Sequence, residues 1–296
     1  MDGLLWYHSG KIAPRRYTLK KKTLFACAAL ALVLAGTGLV LDSRCGLQVT
    51  EYNLYFDSLP AQFEGYCIVQ LSDLHGSSFG RDNSRLAALV REQEPDLIAL
   101  TGDFVEDESQ LPATRGLLNG ISGCAPIYWV NGNHEWVKGV LPALEELLDS
   151  CGVVRLENRC LPVSRDGAQI IVAGAEDPNG RADMIKPDAL AEMLREEYPE
   201  EFVLWLGHRN YWAAKYPELP VDLILSGHAH GGIVRLPGIG GLLNVNHSFG
   251  AEYESGVYQG EHFKMVVSRG LGNSIPVPRF LNRPEVVKII LHCGQS

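Results

Sequence analysis

The sequence predicts an α/β protein in which two facing mixed β-sheets are flanked by helices and preceded by an N-terminal apolar helix. Two observations predict this fold class. Between residues 63 and 226, short apolar and β-branched runs alternate with stretches of helical apolar spacing, and from Gly231 onward glycines and short β runs dominate. A chain of 296 residues can bury one large core or two modest ones, and we expect one domain over residues 49–296.

The N-terminus predicts a membrane-spanning or signal segment. Residues 23–41 contain no charged side chain, and a helix of that length would measure about 28 Å, close to the ~30 Å hydrocarbon thickness of a bilayer. Residues 1–22 carry six basic groups against Asp2 alone, so the positive-inside rule places them in the cytoplasm and the rest of the chain across the membrane. A retained anchor and a cleaved signal both fit, and the apolarity that continues to Leu41 favours the anchor.

Arg15 and Arg16, in the segment RRYTLK, resemble a twin-arginine export signal. An ordinary basic flank before an apolar segment explains the same two arginines equally well. With either origin of the arginines, we expect a single-pass protein of the cell membrane whose folded domain lies on the extracytoplasmic side.

Each element is predicted from its local pattern. Apolar and β-branched runs predict strands at 49–56, 63–71, 97–101, 126–130, 202–206 and 221–225. Helical apolar spacing predicts helices at 81–94, 111–121, 141–148, 187–197 and 210–216. The stretch 153–174 is predicted as a β meander, and shorter strands are predicted at 233–235, 256–258, 263–267 and 286–291.

Five of the predicted strands are followed directly by side chains that can bind a metal. These side chains are Asp73 and His75, then Asp103, then Asn133 with the neighbouring His134, then His208, and finally His228 and His230. In α/β sheets the carboxyl ends of the strands are where sites assemble. Asp73, Asp103 and Asn133 are each 30 residues apart, which is the length of successive βαβ units. The sequence therefore predicts one site at the edge of the sheets.

The ligand types predict which metals bind. Carboxylate and amide oxygens with imidazole nitrogens, and without thiolates, favour Mn, Fe, Co, Ni or Zn over iron–sulfur clusters or calcium cages. Residues at i and i+2 of an extended strand point to one face, so we expect Asp73 to share a face with His75, and His228 with His230. Seven ligands exceed what one ion needs. Two ions that share a carboxylate, about 3.5–4 Å apart, would account for all seven.

Glycines 102, 132, 207 and 227 stand beside these ligands and permit tight turns with close backbone approach. The ordered set Asp-x-His, Gly-Asp, Gly-Asn-His-Glu, His and Gly-His-x-His resembles that of the calcineurin-like metallophosphoesterases, over most of residues 65–235. The tail GLGNSIPVPRFLNRPEV is similar to the membrane-anchored bacterial phosphodiesterase branch of that superfamily.

The resemblance implies specific roles for these residues. One divalent ion would be held by Asp73, His75, Asp103 and His230, and the other by Asp103, Asn133, His208 and His228. A hydroxide that bridges the two metals would be the nucleophile. His134 would be the general acid that protonates the leaving oxygen or stabilises the transition state.

We therefore expect a metal-dependent phosphoesterase, most simply a phosphodiesterase or pyrophosphatase, with a lipid-linked or UDP-diacylglucosamine-like ester as one substrate option. A non-catalytic scaffold module and a nuclease are the alternatives. The complete ligand set together with His134 disfavours the scaffold. Beyond residue 41 the chain carries 20 basic and 34 acidic residues, and this net charge of −14 disfavours nucleic acid as a partner.

The sequence alone leaves open the role of Glu135 and the identity of the residues that bind substrate phosphate. Glu135 either orients His134 or Asn133, or is a solvated acid at a helix start. The candidates for binding substrate phosphate are Arg81, Arg209, Arg279 and Arg283, and for each of them a structural or surface role is favoured. Arg209 follows His208 directly, at a place where members of the resembled family often have a polar–proline step.

Overall fold

The computed structural model describes residues 21–137, 139–243, 250 and 252–294. The basic segment 1–20, the Arg15-Arg16 pair and His247 lie outside the described residues. The α-helices are α1 (Lys21–Cys45), α2 (Ser84–Arg91), α3 (Leu111–Ile121), α4 (Asn133–Val137), α5 (Leu141–Ser150), α6 (Pro187–Glu197) and α7 (Trp212–Lys215). The strands are β1 (Gln48–Phe56), β2 (Tyr66–Leu71), β3 (Leu97–Leu100), β4 (Ile127–Trp129), β5 (Val154–Arg155), β6 (Arg159–Arg165), β7 (Ala168–Ala175), β8 (Val203–Gly207), β9 (Leu223–Ser226), β10 (Arg235–Leu236), β11 (Gly240–Gly241), β12 (Gly256–Gln259), β13 (Lys264–Val267) and β14 (Glu285–Cys293).

The chain divides into two compact units, Met1–Gly38 and Leu39–Ser296, and the second is called the body below. In the first unit the described residues belong to α1; from Thr23 onward they carry no charge and nearly all are exposed, with Phe25 78% and Leu32 74% accessible. Among the described residues α1 is the one helix long and apolar enough to cross a membrane. A signal sequence meets the same criterion, so both alternatives for residues 23–41 are retained.

The first sheet of the body has the strand order β1-β14-β2-β3-β4-β5. β2, β3, β4 and β5 are mutually parallel, with Ile68 opposite Leu97 and Ile98 opposite Ile127. β14 runs antiparallel to β2, which makes the sheet mixed. Because β2, β3 and β4 are parallel neighbours in register, the loops that follow them leave the same edge of the sheet.

The second sheet has the order β12-β13-β9-β8-β7-β6, with β7, β8, β9 and β13 parallel. The predicted meander over 153–174 is wrong in its first part, because β5 pairs with β4 in the first sheet. Leu156 is fully buried between the sheets and its N–H donates to Trp129 O (2.9 Å), so the chain stays on the first sheet before it crosses. Within residues 153–174, the antiparallel pair is formed by β6 and β7.

Three apolar layers hold the body together. α2, α3 and α5 cover one face of the first sheet through Leu86, Leu117 and Leu144. The inner faces of the two sheets meet in a second buried cluster that includes Ile68 and Leu204. A third cluster packs side chains of α6 and α7 against the outer face of the second sheet. Burial of these side chains is the main stabilising contribution to the fold, and the predicted sandwich of two mixed sheets between helices is confirmed.

Candidate metal centre

The loops that carry the candidate ligands converge at one place between the two sheets. β2 and β3 are joined beyond their ends, because Asp73 N–H donates to Gly102 O (2.9 Å) and His75 N–H donates to Asp103 O (3.0 Å). The second sheet is joined to the first by His228, whose N–H donates to Asp73 Oδ1 (3.0 Å). Hydrogen bonds donated by backbone N–H groups therefore fix the ligand loops relative to one another.

Among the described residues, three groups of side chains could each hold a metal ion; two consist of predicted ligands, and the third joins His75 to Glu106 and His134. The ligand atoms of Asp73, His75 and His230 lie within 4.8 Å of one another, and so do those of Asp103, His208 and His228. Asp103 Oδ2 is 3.1 Å from His208 Nε2 in its own group and 3.8 Å from His75 Nε2 in the other. Asp103 thus lies between the groups, at the position expected of a shared carboxylate.

Neighbouring groups fix which imidazole nitrogen faces the centre. His208 Nδ1–H donates to Thr101 O (2.8 Å), and His230 Nδ1–H donates to Gly272 O (3.4 Å). Since a carbonyl oxygen only accepts, each Nδ1 carries a proton, and Nε2 is the ring nitrogen that faces the centre. His230 Nε2 lies 3.5 Å from Asp73 Oδ1. Outer hydrogen bonds of this kind orient histidines that bind metals.

Two of the candidate ligand atoms are buried without a hydrogen-bond partner, namely His75 Nε2 and Asn133 Oδ1. A buried acceptor without a partner costs about 1–3 kcal/mol, and a bound cation would remove that cost. Oxygen and imidazole nitrogen donors, converging in a buried centre without thiolates, suit a divalent transition metal. On both grounds the residues present fit such an ion.

The backbone that brings the paired ligands together differs from the prediction. Asp73 (φ 53°) and His75 (φ 45°) lie beyond the end of β2 in left-handed conformations, as do His228 (φ 69°) and His230 (φ 49°) beyond β9. The expectation that an extended strand end directs each pair is therefore wrong. Left-handed backbone at residues other than glycine costs of order 1–3 kcal/mol and clusters at functional sites, which describes these loops.

Burial and neighbouring charges set the protonation of the centre. Burial raises the pKa of Asp73. Burial acts in the same direction on Asp103, but the adjacent His208 outweighs it and holds the pKa of Asp103 well below its usual range. Burial opposes the charge of His208, yet Asp103 raises the pKa of His208 to about 10. Burial holds the pKa values of His228 and His230 well below the usual range, so both rings are neutral, as metal binding requires.

Glu135 holds the ligand loops of β3 and β4 together. Its carboxylate is fully buried and accepts from the backbone N–H groups of Gly132 (2.8 Å), Asp103 (2.9 Å), Phe104 (2.7 Å) and Val105 (3.2 Å). Glu135 is therefore not a solvated acid. It orients the Asp103 loop through backbone N–H groups, however, and not the side chain of His134 or Asn133.

His134 is the most exposed histidine of the centre, with 27% of its side chain accessible. Its N–H donates to Asp103 Oδ1 (2.9 Å), and its ring Nε2 lies 4.0 Å from Asp103 Oδ2. Glu106 lies beside it, with Oε1 3.7 Å from His134 Nδ1 and 2.9 Å from His75 Nδ1. Glu106 was not predicted from the sequence, although an acid three residues after Asp103 in the same loop was an available signal.

Of the four arginines proposed from sequence as phosphate ligands, one contacts the candidate metal centre and three do not. Arg279 is buried and donates to backbone carbonyls, among them Gly272 O (2.8 Å), so its role is structural. Arg283 is exposed and pairs with Asp42 (2.8 Å), and Arg81 is exposed on a 3₁₀ turn before α2. Only Arg209 contacts a candidate ligand, His228.

Comparison with known families matches the chain to the description "Calcineurin-like phosphoesterase" over residues 67–232, more than half of its length. The chain belongs to this family. Membership confirms the resemblance drawn from the five motifs and identifies the chain as a metal-dependent phosphoester hydrolase.

Curated relatives within this calcineurin-like group align over most of the chain. The uncharacterized metallophosphoesterase YkuE of Bacillus subtilis is 30% identical over 284 residues, which are 91% of this chain and 95% of the relative. The phosphodiesterase YaeI of Escherichia coli is 29% identical, covering 92% of this chain and 98% of the relative. A transmembrane protein with a metallophosphoesterase domain from Danio rerio is 28% identical, over 88% of this chain and 61% of the relative.

Among solved structures, a dimetal phosphatase from Danio rerio is similar with a TM-score of 0.42 and 11% identity, over 72% of this chain and 90% of that one. The structure of TT1561 from Thermus thermophilus is similar to this chain with a TM-score of 0.44 and 14% identity, over 70% of this chain and 90% of that one.

Proposed function

We propose that this calcineurin-like phosphoesterase is a dinuclear-metal phosphodiesterase or pyrophosphatase of the cell membrane, with its catalytic side outside the cytoplasm. The observation that carries the proposal is the position of Asp103. Its carboxylate faces both groups of candidate ligands, at 3.1 Å from His208 and 3.8 Å from His75. Two metals bound side by side are the usual arrangement for in-line displacement at phosphorus.

In this proposal the two cation positions share Asp103. One position is completed by Asp73, His75 and His230, and the other by Asn133, His208 and His228. When bound, the cations would polarise the phosphoryl oxygens, neutralise developing charge and activate water. The donor set favours Mn, Fe, Zn, Co or Ni.

His134 would supply the proton that the leaving oxygen takes up. It is the least buried of the ring donors at the centre and reaches the Asp103 carboxylate at 4.0 Å. Burial lowers the pKa of His134, whereas the charges of Asp103 and Glu106 act in the opposite direction. A general acid must hold its proton until the leaving oxygen takes it up, and the charges of Asp103 and Glu106 favour that protonated form of His134.

The test is hydrolysis of bis-p-nitrophenyl phosphate and p-nitrophenyl phosphate by the full chain in detergent, metal-stripped and with Mn²⁺ restored. We expect turnover only with metal, none in Asp103→Ala, and a loss of about 10²- to 10⁴-fold in His134→Ala. Asp149→Ala is the control, since Asp149 is 61% exposed and pairs with Arg155 on the surface. Absence of turnover with every divalent metal, in protein that binds two ions, would favour the scaffold alternative.

A groove in the body supports a proposal for where the substrate binds. The anchor groove is a cavity of about 670 Å³ lined by the end of α1 and by the loops 75–79 and 271–279. It reaches His75 at one side and Val40 and Arg44 at the other. Because the apolar run ends at Leu41, this side of the groove lies within a few residues of the membrane exit.

We propose that the anchor groove accepts the apolar part of an amphiphilic phosphate ester while its phosphate lies at the metals. Leu271, Ile275 and Val277 line it with apolar surface, and Arg44 adds one cation near the headgroup level. A lipid-linked ester, of which UDP-diacylglucosamine is one example, has this chemistry. In this scheme residues 1–22 are cytoplasmic, residues 23–41 are the anchor and residues 49–296 form the catalytic domain.

Comparison of dodecyl p-nitrophenyl phosphate with bis-p-nitrophenyl phosphate in mixed micelles tests the groove. We expect Val277→Asn to lower the rate with dodecyl p-nitrophenyl phosphate, relative to the rate with bis-p-nitrophenyl phosphate, about tenfold. The substitution places a polar amide against the alkyl chain. Val257→Asn, at an exposed position of β12, is the matched control. A wild-type enzyme that gains nothing from the alkyl chain would refute the lipid-linked substrate but not the phosphoesterase itself.

A further inference from the structure

Arg209 is a cation held rigidly at the edge of the candidate metal centre. It follows His208 at the end of β8, and its guanidinium forms a two-pronged pair with Asp177, Nε to Oδ2 at 2.5 Å and Nη2 to Oδ1 at 3.0 Å. The Asp177 side chain is fully buried, and its Oδ1 also accepts from Asn179 N–H (2.9 Å). Such a fork fixes the plane of the guanidinium, which a lysine could not reproduce.

The loop around Arg209 is fastened on its other side as well. Asn210 Nδ2 donates to the carbonyls of Glu252 (3.2 Å) and Tyr253 (2.9 Å). The Arg209 side chain nevertheless keeps 19% of its surface accessible, although its partner Asp177 keeps none. The guanidinium therefore presents one edge outward from a fixed position.

That edge points toward the metal centre through His228. Arg209 Nη1 lies 3.1 Å from His228 Nε2, whereas His228 Nδ1 lies 3.2 Å from His208 Nε2 on the side of Asp103. Nδ1 is accordingly the atom of His228 that can bind a cation. A neutral imidazole that binds a cation through Nδ1 carries its proton on Nε2, so Nε2 cannot accept from Arg209 in the loaded centre. Nη1 then needs another acceptor.

We propose that Arg209 binds a non-bridging oxygen of the phosphate substrate and that Asp177 positions it for this contact. This inference rests on the proposed phosphoesterase function. Because Nε and one N–H of Nη2 already donate to Asp177, the donors that remain are on Nη1 and on the outer side of Nη2. Arg209 thus offers one edge to the phosphate, which suits a phosphodiester or pyrophosphate whose other oxygens face the cations.

The remaining arginines that sequence suggested cannot serve this role from their observed positions. Arg279 is buried and bonded to backbone carbonyls, and Arg283 is exposed and paired with Asp42. The departure from the polar–proline step after His208 thus places a cation where the phosphate needs one. Asp177 belongs to the loop after β7, so a third strand end of the second sheet takes part in the site.

Binding of inorganic phosphate to the Mn²⁺-loaded full chain, measured by calorimetry, tests the proposal without turnover. We expect Arg209→Ala to raise the dissociation constant of phosphate about 10- to 100-fold, as loss of a charged hydrogen bond does. Bound Mn²⁺ per chain, measured by elemental analysis, stays as in the wild type. With bis-p-nitrophenyl phosphate as substrate, the fold decrease in kcat/KM of Arg209→Ala is larger than the fold decrease in its affinity for Mn²⁺.

Two further variants keep the test decisive. Arg209→Lys retains the charge without the fork to Asp177 and is expected to recover only part of the phosphate affinity. Arg155→Ala removes a surface arginine that makes a similar fork with Asp149 (3.1 and 3.4 Å) and is expected to bind phosphate as the wild type does.

The outcomes separate this inference from the function on which it rests. Unchanged phosphate affinity in Arg209→Ala, with two metals bound, would overturn the role of Arg209 and leave the phosphoesterase standing. Loss of metal together with phosphate would show that Arg209 acts by holding His228, which also overturns it. A wild-type chain that binds neither metal nor phosphate would overturn both proposals.

Discussion

Gly132 leaves no room for a methyl group, and this predicts a strong effect of Gly132→Ala on metal binding. A Cβ atom at this position would lie 2.2 Å from Asp103 Oδ1, 2.6 Å from Asp103 N and 2.8 Å from Asp103 Cγ. Ordinary van der Waals contacts to a Cβ begin at 3.4 Å. The Asp103 carboxylate would therefore have to move by more than about 1 Å, or the loop of Gly132 would have to do so.

The size of the effect follows from what Asp103 contacts. The same carboxylate faces His208 at 3.1 Å and His75 at 3.8 Å, so one displacement disturbs both groups of candidate ligands. Disturbing the groups that orient metal ligands costs about 10- to 100-fold in metal affinity. A 1 Å misplacement at a catalytic centre costs about 100-fold in rate. Overpacking itself costs about 1–3 kcal/mol of folding free energy, which leaves the body folded.

The assay is a Mn²⁺ titration of the metal-stripped full chain against a chelating competitor, with circular dichroism to confirm the fold. Gly38→Ala is the matched control, because a Cβ there would meet nothing within 4 Å. Gly132→Ala is expected to bind Mn²⁺ at least tenfold more weakly than both the wild type and the control. Wild-type metal affinity in folded Gly132→Ala would refute the view that Asp103 must stay in place to hold the ions.

Three further predictions concern neighbouring residues. His208→Ala should lower bound Mn²⁺ from two ions to one, whereas Asp103→Ala should remove both, by elemental analysis. Glu135→Ala leaves four buried N–H groups without their acceptor and should cost at least about 4 kcal/mol in urea unfolding, unlike the exposed Glu108→Ala. Burial raises the pKa of Glu176 to about 7, so the free energy of unfolding falls as pH rises from about 4.5 to 7. In metal-stripped protein, Glu176→Gln should therefore raise the free energy of unfolding by up to about 3 kcal/mol at pH 8 but change it little at pH 4.5.

The strand ends and their ligands could be predicted because both signals are local in the sequence. An apolar run followed by Asp73, Asp103 or Asn133 indicates a buried strand and its carboxyl end without knowledge of the rest of the chain. The 30-residue spacing then indicates parallel neighbours, and β2, β3 and β4 are such neighbours. Local pattern and parallel pairing together were enough to predict that the candidate ligands lie close to one another.

The parts that sequence did not predict depend on contacts between distant residues. Asp177 and Arg209 are separated by 32 positions, and nothing in either segment indicates that they pair. β5 has two residues, and only its pairing with β4 shows which sheet it joins. The left-handed backbone of Asp73 and His75 is also imposed from outside, by hydrogen bonds to the loop after β3. A one-dimensional pattern contains none of this information.

The charges and protonation states of the candidate ligands link folding stability to metal binding. His208, with a pKa of about 10, holds a proton that a cation must displace, whereas His228 and His230 are already neutral. Acceptor atoms of His75 and Asn133 are buried and unpaired. Cations would satisfy these groups together, releasing the proton from His208, so metal affinity must rise with pH. A ligand at a hundred times its dissociation constant adds about 2.7 kcal/mol to folding stability, so the ions required for hydrolysis would also offset the strain and burial costs of the loops that bind them.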